Sequence, residues 1–225
     1  MLKTLERADI DSINFGGYDN PVTEVRGYQN YDITDIGITS MNNPGPLRPW
    51  TDTKIKSEFF QTILDRVQPK TYADFGNNLG YYVFHAAFAG IESTGVDYNK
   101  EYISVCECLK ARHGVTNTSW LNSNLEFWSD NARKYDLLTV FNVIHHLYNR
   151  TEQYKNMDKL VRDFAHKGRT VLFEFPTERD KKGYKWTMGT NYSQKLFEES
   201  LTKEFSGWEI IPGQTEERPY YLCNA

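Results

Sequence analysis

Thr71-Tyr-Ala-Asp-Phe-Gly-Asn-Asn-Leu-Gly-Tyr-Tyr-Val-Phe84 decides the reading of this chain. A short apolar strand, Thr71 to Phe75, carries an acid at Asp74 and runs directly into a glycine-bearing turn. Tyr81 then opens a helix packed by Val83, Phe84, Ala86 and Ala87. Glycine turns left-handed without steric cost and lets backbone approach a ligand closely, so Gly76 and Gly80 predict a turn able to cradle a nucleotide. Asn78 stands where dinucleotide-binding turns usually carry another glycine. Asparagine tolerates positive φ better than most residues, so Asn77 and Asn78 are expected to complete the turn. Taken alone, the stretch fits an ordinary strand-to-helix connection as well as a cofactor loop.

The downstream sequence adds context. Glu92-Ser-Thr-Gly-Val-Asp97 is a second short strand ending in an acid, at the spacing where a carboxylate meets a ribose diol. A loop through Asn122-Ser-Asn124-Leu-Glu126 follows a third strand, Thr118 to Leu121. Tyr135 to His146 begins as an apolar strand and ends in polar groups, and Thr170 to Pro176 is another strand carrying Glu174. In open α/β sheets ligands sit beyond the carboxyl ends of the strands, so Asp74, Asp97, Asn124, Asn142 to His146 and Glu174 are expected to converge there. The plainer alternative is that Asp74 and Asp97 only cap the helices that follow them.

These residues, in this order, resemble the class I S-adenosylmethionine-dependent methyltransferases from about Lys54 to the end of the chain. Asp74-Phe-Gly-Asn-Asn-Leu-Gly80 resembles the family's first motif and Asp97 its ribose-binding acid. Asp136 to Leu147 resembles its fourth strand, with the Asn-Val-Ile-His-His-Leu ending. Asn78 departs from the usual glycine. Asn124 stands where many relatives carry an aspartate that accepts from the adenine amino group, a task an asparagine carbonyl can also perform. The resemblance implies S-adenosylmethionine as cofactor, held by Asp74, Gly76, Asn77, Asn78, Gly80, Asp97, Tyr98, Asn124, Leu125 and Asn142. It also implies a three-layer Rossmann-like α/β fold whose seven-stranded sheet is mostly parallel, with an antiparallel strand supplied by a terminal hairpin.

The chain has 225 residues, enough for one α/β domain and an extension. Residues 1–50 carry turn signals at Gly16-Gly17, Asn20-Pro21 and Asn42 to Pro46, with scattered Tyr and Ile, and are expected to form an arm or cap. The methyltransferase domain is expected over 51–225. Helices are expected at Thr51 to Val67, with Thr51 or Asp52 as N-cap, and at Tyr81 to Ala89, Lys100 to His113, Gln153 to Ala165 and Ser193 to Phe205. The fourth strand is expected over Asp136 to Val143. Trp208 to Ile211 and Pro219 to Cys223 are joined by Pro212 to Arg218, too short for a parallel crossover and right for a hairpin.

Methyl transfer from a sulfonium is an in-line displacement, and an alcohol acceptor must also lose a proton. His146, and after it His145, are the expected proton acceptors, with Glu174 beside them. The loop after the fifth strand mixes cations with aromatics, and Arg179, Tyr184 and Trp186 are expected to bind the acceptor, although a solvated charged loop reads equally well. No spacing predicts a metal site. Cys106, Cys108 and Cys223 read as structural thiols.

Oxygen is favoured as the acceptor atom partly by exclusion. No Asn/Asp-Pro-Pro-aromatic run follows the fourth strand, as it would in a chain resembling amino-directed nucleic-acid enzymes, and no Pro-Cys pair resembles the cytosine C5 enzymes. With 15% aromatic residues and a net charge of −4, a sugar, glycan or other small acceptor is expected ahead of RNA. An RNA-modifying enzyme and a noncatalytic module with a cofactor fold are the alternatives. No apolar run approaches the roughly 20 residues that span a bilayer, and a cytoplasmic location is expected.

Overall fold

The structure, a computed structural model, describes residues 32–33, 38–39, 53–129, 133–180, 190–211 and 216–225. The expected N-terminal arm therefore lies outside the described residues except for a two-residue ladder, β1 (Asp32–Ile33) antiparallel to β2 (Ile38–Thr39). The remaining strands form one sheet: β3 (Thr71–Phe75), β4 (Glu92–Asp97), β5 (Thr118–Asn122), β6 (Tyr135–Phe141), β7 (Gly168–Glu174), β8 (Gly207–Ile211) and β9 (Tyr220–Asn224). Their order is β5-β4-β3-β6-β7-β9-β8. β4 is parallel to β5, and β6 is parallel to both β3 and β7. β9 lies between β7 and β8 and is antiparallel to both, which is the terminal-hairpin arrangement expected from the short Pro212 to Arg218 connection.

Two compact units divide the chain, Met1–Lys70 with Asn77–Asn122, and Thr71–Gly76 with Ser123–Ala225. In the first, α1 (Thr53–Val67) packs on α2 (Tyr81–Phe88) through Phe60, whose ring meets Tyr82 at 5.1 Å and His85 at 5.4 Å. Ser57 and Gln61 take up the two ring nitrogens of His85, so this half-buried imidazole is a satisfied packing residue. α3 (Lys100–His113) starts at Asn99, whose Oδ1 accepts from Glu101 N at 2.9 Å. The cap of that helix is therefore Asn99 rather than Asp97.

In the second unit, α4 (Leu125–Ser129), α5 (Ile144–Arg150), α6 (Met157–Ala165) and α7 (Gln194–Glu204) accompany the strands. β7 and β9 are buried on both faces, and Phe173, Tyr221 and Phe175, just past β7, pack against Phe164 and Phe197. Each fully buried phenylalanine contributes about 2–3 kcal/mol through apolar area removed from water. Asp158 on α6 receives Ser200 and Lys203 of α7, and Arg162 pairs with Glu204, which fixes the register of the two helices.

Two boundaries differ from expectation, and two helices are added. The helix expected from Gln153 is a single 3-10 turn at Glu152–Tyr154, and α6 starts afresh at Met157 because the Asn156 side chain accepts from Lys159 N at 3.0 Å. The fourth strand expected to reach Val143 stops at Phe141, and α4 and α5 are additional helices. No described helix is long and apolar enough to cross a membrane.

Candidate active site

The glycine turn is built by the backbone groups that the sequence nominates. In the first unit Gly80 N donates to Asn77 O at 2.8 Å, and Asn77 N donates to Val96 O at 3.2 Å, tying the turn to the end of β4. Asn78 takes φ +51° and Gly80 φ +83°, so Asn78 supplies the left-handed turn in place of the missing glycine. Asn77 does not share that role. It is buried, and its amide donates to Asn78 O at 2.8 Å.

Asp97 closes the cradle. Its Oδ2 accepts from Asn78 N at 3.0 Å and its Oδ1 from Asn99 N at 2.8 Å. Burial raises its carboxyl above the ordinary range, and these two backbone bonds act in the opposite direction. Each oxygen retains acceptor capacity after these bonds, as a diol-binding carboxylate requires. Tyr98 beside it is 75% exposed. Asn122 Nδ2 donates to the carbonyls of Asp97 and Tyr98 at 3.1 and 2.9 Å and fixes this strand end.

Trp120 is a member of this cradle that sequence reasoning missed. It pairs across the ladder with Gly95, and an ideal Cβ placed on Gly80 or on Gly95 would lie 2.4 Å from its ring. The indole, 5.0 Å from the Phe84 ring, thus fills the space beneath the turn that two absent side chains leave open. Gly95-Val-Asp97 opposite a tryptophan on the next strand was the available signal.

In the second unit, Asp74 is 3% exposed and its Oδ1 accepts from Thr139 Oγ1 at 2.8 Å. Thr139 also meets the Tyr72 hydroxyl at 2.6 Å. Gly76 takes φ +80°, and an ideal Cβ there would lie 2.4 Å from Val143 Cγ2, so no side chain fits. Asn142, at φ +59°, accepts from Arg218 Nη1 through Oδ1 at 2.7 Å. Arg218 also stands 3.8 Å from Glu174 Oε1 and forms an ion pair with Asp180 Oδ2. Glu174 and Asp180 are both buried, so Arg218 supplies the countercharge that their burial demands.

His145 and His146 lie on the first turn of α5, their rings 4.0 Å apart. His145 is 2% exposed, and its Nδ1 has no hydrogen-bond partner among the described residues. Burial, with the charges of His146, Arg218 and Arg150, lowers its pKa to about 2. His146 is only half buried, and burial with Arg150 and Arg218 lowers its pKa to about 4. Both rings are therefore neutral at physiological pH.

Asn124 is exposed and Leu125 buried at the start of α4. Both border a cleft of about 300 Å³ completed by Leu147, Thr151, Glu152 and Tyr154. Arg179 is exposed on the turn after β7, whereas Tyr184 and Trp186 lie outside the described residues. Arg218 and Asp180 were not among the residues expected from sequence, because Arg218 reaches Asn142 from 76 positions away and carries no local signature. Among the described residues no cluster of three or more His, Cys, Asp or Glu is arranged to hold a metal ion.

The residues present fit the donor implied by the sequence: an uncapped glycine turn, an acid with spare lone pairs and an adjoining exposed aromatic ring. Residues 73–166 match the family described as "Methyltransferase domain". No curated protein matches the chain in sequence. Among solved structures, the bifunctional kinase-methyltransferase WbdD superposes with a TM-score of 0.62 at 17% identity, covering 77% of this chain and 39% of that one. A candidate O-methyltransferase from Nostoc punctiforme PCC 73102 gives 0.60 at 14% identity over 76% of this chain and 56% of its own. The methyltransferase domain of bacterial-CtHen1-CN gives 0.57 at 20% identity, over 77% and 99%. The chain thus spans well under half the length of WbdD, and at these identities the likeness concerns the fold. Residues 73–166 thus match a methyltransferase domain, set in a seven-stranded sheet of the fold these solved methyltransferases share, and such a domain implies S-adenosylmethionine as the methyl donor.

Proposed function

We propose that the chain transfers a methyl group from S-adenosylmethionine to a hydroxyl oxygen of a sugar, a glycan or another small acceptor. The observation that carries this reading is the pair His145–His146 on the turn after β6, uncharged at neutral pH and flanked by Arg150 and Arg218. A neutral imidazole offers a lone pair to the proton of an alcohol, and protonated histidines would not.

In this reading Asp97 takes the ribose diol, Asn78 and Gly80 shape the turn, and Asn124 with Leu125 borders the adenine. The donor, when bound, supplies an electrophilic methyl carbon on a sulfonium. His146, the more accessible ring, accepts the acceptor's proton as its oxygen loses it. With a pKa near 4 this imidazole is a weak base, so alignment of the acceptor supplies the larger share of the acceleration. His145 and Glu174, both 2% exposed, serve from behind: His145 against the ring of His146, Glu174 against Arg218. Arg179, exposed on the turn after β7, is the described residue offered to the acceptor.

The test is transfer of labelled methyl from S-adenosylmethionine to a panel of nucleotide sugars, glycans and RNA. Label in a sugar hydroxyl supports the reading; label confined to RNA, or to nitrogen, replaces it. In the same assay His146→Ala should lower turnover roughly a hundred- to ten-thousand-fold while leaving donor affinity near wild type. Retained turnover would move the proton-accepting role elsewhere.

A further inference from the structure

Asn142 and Val143 join the polar network at the end of β6 to the glycine turn. Asn142 holds a left-handed φ of +59°, a conformation an L residue keeps only when its surroundings impose it. Its side chain is gripped by Arg218, whose Nη1 donates to Oδ1 at 2.7 Å. Arg218 is itself held by Glu174, 3.8 Å from the same Nη1, and by Asp180 at Nη2. The next residue, Val143, presses Cγ2 to within 2.4 Å of where a Gly76 Cβ would stand. The Val143 carbonyl also accepts from His146 N at 2.9 Å and Leu147 N at 3.1 Å, which starts α5.

Building on the donor reading above, we infer that Arg218 is a positioning residue for the methyl-transfer site. Through Asn142 it seats Val143 against Gly76 and sets the start of the helix that carries the two histidines. It acts through these groups and not by contact with the reacting atoms. A planar guanidinium is suited to this task because its fork serves Asn142 and two carboxylates at once, which a single ammonium cannot do. The competing role is a plain fastening of the terminal hairpin to the sheet. That role would appear in melting temperature alone and would leave donor affinity untouched.

The test is calorimetric titration with S-adenosylhomocysteine of the wild-type chain, Asn142→Gly, Arg218→Lys and the double variant, each checked for folding by circular dichroism and thermal melting. Glycine adopts the turn of Asn142 freely and leaves the Arg218 ion pairs intact, so this variant should fold; lysine keeps the charge beside Glu174 and Asp180. Each single variant should bind about tenfold more weakly than wild type, and the double variant no more weakly than either, because both changes break one path. Folded Asn142→Gly with wild-type affinity would overturn the inference, as would losses that multiply to about a hundredfold in the double variant. A folded wild-type chain that binds no ligand would overturn the donor reading itself and this inference with it.

Discussion

Asp97 performs two tasks with one carboxylate. By accepting from Asn78 N and Asn99 N it fixes the glycine turn and the start of α3, and in the proposed reading its remaining lone pairs take the ribose diol. Its removal should therefore cost stability as well as donor affinity, on the order of 1–3 kcal/mol for stranded backbone donors. His145 carries a different liability. Its pKa falls from 6.5 to about 2 in the folded chain, so across that interval the unfolded chain binds a proton that the folded chain does not. Stability should then decline as pH falls below about 6.5, by up to about 1.4 kcal/mol per pH unit. Asp97, whose carboxyl is raised from 3.8, opposes this only in the more acidic part of the range. Thermal melts from about pH 7 to about pH 5 should show the wild-type chain losing stability faster than His145→Gln; parallel curves would mean that the ring is hydrated.

At the scale of elements, the turn between β3 and α2 depends on Trp120 of β5. Gly80 and Gly90 have nearly the same φ, +83° and +85°, yet a Cβ meets the Trp120 ring at Gly80 and nothing within 4 Å at Gly90. Gly90→Ala should show only the left-handed cost, about 1–2 kcal/mol. Gly80→Ala should lose about 1–3 kcal/mol more from overpacking, read from urea midpoints. Equal losses would show that the indole moves aside freely. The strands, the terminal hairpin and the acids at strand ends were legible because apolar runs, connection length and turn residues are local signals. The end of β6 was not. Asn142 and Val143 read as a continuing strand, but Asn142 turns left-handed in the grip of Arg218, a contact 76 residues away, and α5 begins just after them without a side-chain cap. The split before α6 was readable in principle, since Asn156 is an N-cap residue type followed by Met157 and Asp158.

For the molecule as a whole, the family match over residues 73–166 implies the donor and leaves the acceptor to the residues that line the site. One architecture hosts many activities and does not select one acceptor. Net charge of −4 gives no global attraction to a polyanion. The acceptor reading therefore rests on the neutral histidine pair, whereas the donor reading rests on Asn78, Gly80 and Asp97 around the glycine turn. Calorimetric titration of the folded wild-type chain and of Asp97→Ala with S-adenosylhomocysteine tests that claim most directly. Micromolar binding by the wild type, weakened at least about tenfold in a variant that remains folded, is the expected result. A folded wild-type chain that gives no binding, or an Asp97→Ala chain that binds equally well, would contradict it.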